Sequence, residues 1–221
     1  MTGTASPAAD TRRRLLDAAQ RLFTERGYAK VTVRDITGDA HANLAAVSYH
    51  FRDKLGLYRE VLQRGLRLAQ EVNAETMLSR TDHTAEECLR HYVRQYLPRV
   101  VHADARAWIH QILRHEMADP TPAARWYVQQ AIMPRVEFLV DVVRDLFGDS
   151  ATPDRVQRCV TSIQAQCLFY LPDPFKSMVM RNWQPRTDEE IRDTAEHITE
   201  FSLAGIRAIA NVRRGPRVRA R

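Results

Sequence analysis

Glycine is scarce in this chain, with 8 among 221 residues, and that scarcity narrows the fold classes that fit. A glycine-rich cofactor-binding fold and an all-β fold with many tight turns both need more of this residue. Helix formers such as Ala, Leu, Arg, Gln and Glu fill the chain instead, and apolar residues recur at three- and four-residue spacing. The sequence therefore predicts an all-α fold.

Cysteine and long apolar runs are also in short supply. The 3 cysteines, Cys88, Cys159 and Cys167, are odd in number and widely spaced, which argues against a disulfide framework. No apolar run reaches the length of a membrane span, and residues 1–10 lack the pattern of a secretory signal peptide. We therefore expect a soluble protein in a reducing cytoplasm, with no membrane partner and no cofactor.

The net charge of +6 is concentrated at the C-terminus. Between Arg213 and Arg221 the chain carries arginines and no acid, so the rest of the chain is nearly neutral. Bulk charge therefore carries no argument for nucleic-acid binding. We expect residues 213–221 to form a basic, disordered tail, because blocks of like charge stay unfolded. The alternative is an additional arm that contacts DNA.

Start and stop signals divide the chain into about nine helices. A threonine that precedes either an acid three residues later or a proline marks helix starts at Thr32, Thr84, Thr121, Thr152 and Thr187. Gly27 and Gly148 fit left-handed positions just past helix ends, and Pro98 and Pro134 should kink or end their helices. The predicted helices cover residues 11–26, 33–38, 44–51, 54–78, 85–101, 104–117, 122–147, 153–170 and 188–211, with a short one around 175–181.

The first fifty residues have the pattern of a helix-turn-helix. Val47 and Phe51 are four residues apart in the third helix, so they should face a core that the first helix supplies. The opposite face of this helix is small at its start and carries polar side chains after it, which suits the major groove of DNA. Phosphate or base contacts are predicted for Thr32, Arg34, Asn43, Leu44, Ala45, Ser48, Tyr49, His50 and Lys54.

A resemblance to a known family rests on a combination of residues in this region. The segments are Arg14-Leu15-Leu16-x-Ala18-Ala19-x-x-Leu22-Phe23-x-x-x-Gly27-Tyr28, Thr32-x-x-x-Ile36 and Tyr49-His50-Phe51-x-x-Lys54-x-x-Leu57. Over residues 12–62 the chain resembles the TetR family of one-component transcriptional regulators. Residues 43–51, 113–120 and 166–170 further resemble a CerR/YbiH-type branch of that family.

The resemblance implies a homodimeric repressor whose two N-terminal domains enter the halves of a palindromic operator. A small-molecule effector would bind the C-terminal domain and release the DNA. The implied domains are residues 1–53 for DNA binding, 54–212 for effector binding and dimerisation, and the tail 213–221. Dimerisation would use the last two long helices. By position, Tyr49, His50 and Lys54 inherit phosphate contacts, and Asn43, Leu44 and Ala45 inherit base-facing places.

One residue departs from the family pattern. The family usually has glycine in the turn before the recognition helix, where this chain has His41. Histidine is among the few other residues that tolerate a positive φ. We therefore expect His41 to adopt a positive φ.

The effector site is predicted from aromatic, amide and sulfur side chains at helical spacing, a mixture that can line a mostly apolar pocket with a few polar anchors. The alternative is that these are only core and interface residues. No cluster of acids or bases predicts a strongly charged ligand, so a largely apolar effector is expected. The candidates are Trp108, Gln111, His115, Trp126, Tyr127, Gln130, Met133, Gln164, Cys167 and Tyr170.

Other functional classes find less support in the sequence. Residues 115–119 resemble a zinc-protease motif, but Asp119 stands in place of the second histidine, and no other catalytic or metal-binding pattern is visible. We therefore expect neither an enzyme nor a metal site. Two alternatives stay open: a helical enzyme or ligand-sequestering protein with a vestigial DNA-binding domain, and an architectural protein that uses its basic tail.

Overall fold

The computed structural model describes residues 7–102, 107–180 and 184–211, and in those ranges the chain forms eleven α-helices and no strand. The all-α prediction is therefore confirmed. The helices are α1 Pro7–Lys30, α2 Val33–Asp39, α3 Leu44–Phe51, α4 Lys54–Thr76, α5 Ala85–Val101, α6 Ala107–Ala118, α7 Pro122–Tyr127, α8 Met133–Phe147, α9 Pro153–Leu168, α10 Pro174–Val179 and α11 Asp188–Asn211. The predicted tail 213–221 lies outside the described residues.

The start signals predicted from the sequence are confirmed. The side chains of Thr32 and Thr84 accept from the backbone N–H three residues later, and the acids at those positions accept from the threonine N–H in return. Thr187 and Glu190 make the same exchange, at 3.2 and 3.1 Å. Each cap satisfies backbone donors that the first helical turn leaves free.

The helix boundaries differ from the prediction at prolines and glycines. Residues 122–147 do not form one helix, because a π-helical turn over Val128–Ile132 separates α7 from α8. Pro134 has no N–H for the carbonyl four residues earlier and its ring crowds that carbonyl, which accounts for the wider turn. Gly27 (φ 77°) interrupts α1, as predicted, but helical residues resume and reach Lys30.

The chain divides into two compact units, and α4 contributes residues to both. Of the described residues, the first unit contains 7–71 and 107–132, and the second contains 72–102, 133–180 and 184–211. The predicted domain boundaries at residues 53 and 212 separate DNA binding from effector binding. A division of the chain by contacts does not test them, so they stay a prediction.

The core of the first unit joins α1, α3, α4 and α6. Leu15 and Phe23 of α1 are fully buried, as are Leu57 and Leu62 of α4, and Ile112 of α6 packs in the same cluster. Helices α1 and α6 pack against each other. Burying such side chains is the main source of stability for a three- or four-helix unit.

A buried polar contact holds α4 to the end of α6. The Tyr58 hydroxyl donates to the carboxylate of Glu116, which is itself buried. The same carboxylate accepts from the Thr121 N–H at 2.6 Å and from its hydroxyl at 2.9 Å. Burial and the neighbouring Glu116 raise the pKa of Tyr58, so this hydroxyl stays protonated and donates.

The core of the second unit is formed by α5, α8, α9 and α11. Leu89, Tyr92 and Leu97 of α5 are fully buried, with Leu139 of α8 and Ile163 of α9 in the same cluster. On the surface of this unit, Arg94 pairs with Glu196 at 3.0 Å and Arg90 pairs with Glu200 at 2.6 Å, so ion pairs join α5 to α11. Exposed pairs of this kind each add less than about 1 kcal/mol, so the apolar core decides the packing.

The apolar stripe of α11 is used mostly inside its own unit. Ile191, Ala195, Ile198, Leu203 and Ile206 are buried in the core of the second unit. Phe201 and Ile209, which belong to the same stripe in the sequence, remain 63 % and 38 % exposed. These two members of the stripe are therefore available for contacts outside the unit.

Among the described residues, none of the helices is long and apolar enough to cross a membrane.

Gly27 provides a test of the α1 interruption. An alanine there would take a positive φ, and its Cβ would lie 3.0 Å from Cγ of His115. Gly27→Ala is expected to lower the free energy of unfolding by about 1–3 kcal/mol, because an L-residue is strained in this conformation. Gly38→Ala is the matched control, since a Cβ at that position would meet nothing within 4 Å. Urea denaturation should show that Gly38→Ala leaves the free energy of unfolding unchanged or raises it. An equal loss of stability in both variants would show that the conformation of Gly27 causes no strain.

Glu116 provides a test of the buried contact between α4 and α6. Glu116→Ala leaves the Tyr58 hydroxyl and the Thr121 N–H without their acceptor, so unfolding should become easier by about 2–4 kcal/mol. Tyr58→Phe removes only the donor and should lower the free energy of unfolding by about 1 kcal/mol. Glu137→Ala, at an exposed position, is the control. A loss for Glu116→Ala no larger than for Glu137→Ala would show that the contact does not stabilise the fold.

Candidate nucleic-acid interface

The start of α2 is fixed by its cap and leaves two candidate side chains at the surface. Thr32 Oγ1 accepts from the Asp35 N–H at 3.2 Å, and the Asp35 carboxylate accepts from the Thr32 N–H at 2.7 Å. The Thr32 hydroxyl also donates to the Asp35 carboxylate at 2.6 Å, and this bond, together with the one from the Thr32 N–H, lowers the pKa of Asp35. Thr32 and Arg34 are both exposed, so the cap positions them without covering them.

The turn between α2 and α3 depends on His41 and on an arginine from α1. His41 has φ 47°, so the positive φ predicted from the sequence is confirmed. Arg14 Nη1 donates to the carbonyl of Ala40 at 2.8 Å and to that of His41 at 3.2 Å. These bonds satisfy carbonyls that the left-handed turn removes from helical pairing. Arg14 therefore holds the turn that aims α3.

Helix α3 presents one buried face and one exposed face, as predicted. Val47 and Phe51 are buried in the core of the first unit. On the opposite side Leu44 is 50 % exposed and Tyr49 is 81 % exposed. Ala45 and Ser48 are exposed as well. A short helix with small and polar side chains outward has the dimensions that the major groove admits.

The N-cap of α3 is Asn43. Its Oδ1 accepts from the Ala45 N–H at 2.9 Å, so the side chain caps the helix. The side-chain NH₂ of an asparagine remains a donor when its oxygen caps a helix. Asn43 is exposed and can present that donor to a phosphate.

Lys54 and His50 are less exposed than the rest of the candidate residues. The Lys54 ammonium lies 4.1 Å from the centroid of the Tyr28 ring, a cation–π contact. Burial lowers the pKa of Lys54, and the negative charge of Asp35 opposes that shift. The His50 ring packs edge-on against Tyr49, with the centroids 4.8 Å apart. Both side chains are therefore positioned by aromatic neighbours.

Two further arginines lie near this surface, and one of them, Arg52, is not among the residues predicted from the sequence. Arg12 pairs with Glu60 at 3.1 Å and lies over the Phe51 ring, so it has partners within its own unit. Arg52 is exposed and ends α3 with φ 73°. The signal that could have identified Arg52 is its position as a basic residue directly after the third predicted helix.

The candidate effector residues are divided between the two units. In the first unit, Tyr127 is buried, Trp126 is exposed, and His115 donates from Nε2 to the Thr24 carbonyl at 3.1 Å. In the second unit, Cys167 is buried, and burial raises its pKa to about 12. The remaining members are Trp108, Gln111 and Gln130 in the first unit, and Met133, Gln164 and Tyr170 in the second. That the ten line one pocket stays a prediction.

Comparison with protein families gives two matches that together span both units. Residues 15–61 match the family described as bacterial regulatory proteins, tetR family. Residues 85–206, more than half of the chain, match the C-terminal domain of the HTH-type transcriptional dual regulator CecR. The CerR/YbiH-type branch stays a prediction.

Two curated relatives are also named as transcriptional regulators. The chain is 38 % identical over 85 residues to the HTH-type transcriptional repressor BepR of Brucella suis, covering 38 % of this chain and 39 % of BepR. It is 30 % identical over 133 residues to the regulator TtgR of Pseudomonas putida, covering 59 % and 62 %. The chain thus spans less than two thirds of the length of either relative.

Among solved structures, the fold is similar to that of the flavonoid-responsive regulator FrrA, with a TM-score of 0.61, 16 % identity and coverage of 88 % and 96 %. It is also similar to a transcriptional regulator from Saccharomonospora viridis in complex with choline, with a TM-score of 0.58, 21 % identity and coverage of 86 % and 95 %. The capped helix-turn-helix and these matches lead to one conclusion: this chain belongs to the TetR family of bacterial transcriptional regulators.

Proposed function

We propose that this protein is a repressor that binds a palindromic DNA operator as a homodimer and leaves it when a small molecule binds. The observation that carries the proposal is the two-sided helix α3, with Val47 and Phe51 buried and Leu44 and Tyr49 exposed. The repressor role is supported by BepR, which is named as a repressor. We place the protein in the cytoplasm, where operator DNA is accessible.

The roles of the exposed residues follow from their chemistry. Leu44 and Ala45 have no hydrogen-bonding side chain, so they would contact base edges through shape and thymine methyl groups. Arg52, exposed at the end of α3, would instead contact the phosphate backbone. Phosphate contacts set the position of the helix, and base contacts set its sequence preference. The other proposed phosphate contacts are Ser48, Tyr49, His50, Thr32, Arg34 and Lys54. Asn43, at the start of α3, can face either a phosphate or a base edge.

The dimer would form through apolar side chains that the second unit leaves exposed. Phe201 and Ile209 of α11 are outward, and Leu168 and Phe169 at the end of α9 are 39 % and 43 % exposed. A palindromic operator requires two identical DNA-binding domains related by a two-fold axis. The last two long helices are therefore the proposed interface, through these four residues.

An effector is supported by two structural neighbours. FrrA is named as flavonoid-responsive, and the Saccharomonospora viridis regulator was crystallised with choline. Both likenesses concern proteins that respond to or hold small organic molecules, and neither identifies the ligand of this chain. We place the effector site in residues 54–212, the proposed regulatory domain, with residues 1–53 as the DNA-binding domain.

The proposal is tested by footprinting the purified protein on the promoter of its own locus and then adding candidate compounds. We expect one protected palindrome, weakened by salt, and release by at least one compound. Tyr49→Ala should abolish protection, and deletion of residues 213–221 should not. Loss of protection on deletion of residues 213–221, with protection retained in Tyr49→Ala, would favour an architectural protein that binds through its tail. No protection at any salt concentration would favour an enzyme or ligand-sequestering protein.

Lys54 and Leu44 separate positioning from specificity. Lys54→Gln should weaken binding to every DNA sequence alike. It should also reduce the slope of log K against log salt concentration by about 0.9 for each phosphate that the variant no longer contacts. Leu44→Ala should change the preferred operator sequence and leave the salt dependence unchanged. Arg192→Gln on α11 is the charge-matched control. Fluorescence anisotropy on operator and random duplexes distinguishes the cases, and a sequence-selective loss for Lys54→Gln would contradict the assignment.

Phe201 tests the dimer. Phe201→Asp places a charge on a side chain that is 63 % exposed, so the fold should survive while the molecular mass in solution falls by half. Met117→Asp changes an apolar side chain of the first unit that is 84 % exposed and serves as the control. Light scattering after gel filtration measures both. A dimer that persists in Phe201→Asp, or a monomer in Met117→Asp, would place the interface elsewhere.

A further inference from the structure

The core of the second unit contains a tyrosine hydroxyl that has no hydrogen-bond partner at ordinary distance and angle among the described residues, although Arg135 lies close enough to act on it. The tyrosine, Tyr92 of α5, is fully buried, and its hydroxyl oxygen is buried with it. Buried polar groups in folded proteins are nearly always paired, so an exception asks for an explanation. Tyr92 is not among the effector candidates predicted from the sequence.

A positive charge lies in the same region of the core. The guanidinium of Arg135 on α8 stacks on the ring of Tyr96, with its central carbon 4.6 Å from the ring centroid. Its Nη1 donates to Oδ1 of Asn73, at the end of α4, at 3.1 Å. Asn73 and Tyr96 are both buried. The cation is thus held in place from α4 and α5.

The two tyrosines share the field of this arginine. Burial raises the pKa of Tyr92 and of Tyr96, and the positive charge of Arg135 partly opposes that rise. Both hydroxyls therefore stay protonated at neutral pH and act as donors. The centroids of the Tyr92 and Tyr96 rings lie 5.6 Å apart and Arg135 acts on both residues, so the three side chains lie in one patch.

Apolar side chains share the core with this patch. Leu89 and Val93 flank Tyr92 along α5, and Leu139, Ile163 and Cys167 belong to the same buried cluster. Such a core favours hydrocarbon next to the polar patch. A ligand that fits both features is amphipathic, with one anionic acceptor group and an apolar body.

We propose that Tyr92 and Arg135 bind the carboxylate of a small amphipathic effector, with the hydroxyl of Tyr92 and the guanidinium of Arg135 both donating to it. Guanidinium and carboxylate match in geometry and charge, and hydrogen bonds between ionised groups are the stronger kind. The inference rests on the proposed function, because it names the chemical class of the effector. It adds one anionic group to the largely apolar effector expected from the sequence, because Arg135 is a single half-buried charge and forms no cluster that the sequence could reveal.

The test compares carboxylates with their neutral isosteres on the full-length protein without DNA. Benzoate, phenylacetate and octanoate are each titrated against the corresponding primary amide by calorimetry and by thermal shift. We expect at least one carboxylate to bind tenfold or more tightly than its amide. Tyr92→Phe should weaken that carboxylate about tenfold, Arg135→Gln should remove the preference, and Arg135→Lys should retain part of it. Arg158→Gln, an exposed arginine of α9, is the control.

The outcomes separate this inference from the proposed function. If no carboxylate in the set binds better than its amide, or if Tyr92→Phe and Arg135→Gln leave the preference intact, the inference is overturned. If Arg135→Gln unfolds, the comparison of Tyr92→Phe with Arg135→Lys decides. Carboxylate binding that depends on both residues but does not release operator DNA supports the site and contradicts the proposed mode of regulation. Release by a neutral compound alone supports that regulation and overturns the anionic site.

Discussion

The orientation of α3 depends on how its N-terminal end and its buried face are fixed. Arg14 of α1 donates to two carbonyls in the turn before α3, and the oxygen of Asn43 caps the first turn of the helix. Val47 and Phe51 then anchor the helix in the core of the first unit. With these positions fixed, the exposed face cannot rotate inward without exposing apolar area and leaving carbonyls unpaired. Function in the first unit follows from this constraint.

The helix-turn-helix was predictable from the sequence because its signals are local. Capping pairs such as Thr32 and Asp35 lie three residues apart, and the facing of Val47 and Phe51 follows from helical periodicity alone. The positive φ of His41 was also predictable, since few residues tolerate the turn. The role of Arg14 was not, because its partners are 26 and 27 residues away along the chain.

The second unit was less predictable because its decisive contacts join distant segments. Tyr92, Arg135 and Asn73 come from three helices, and nothing in their local sequence marks them as neighbours. The π-helical turn before Pro134 divides a helix that periodicity alone makes continuous. Most of the apolar stripe of α11 is buried in the core of its own unit. A dimer surface predicted from all apolar residues of the stripe is therefore larger than the surface that remains exposed.

We propose that α3 reads the major groove of two operator half-sites. Methylation interference tests it most directly, because methylation at N7 of guanine blocks the major groove and methylation at N3 of adenine blocks the minor groove. We predict two symmetric clusters of interfering guanines, whose centres are one helical turn or a multiple of it apart, with the adenine methylation having little effect. Binding that is unaffected by guanine N7 methylation would contradict the account.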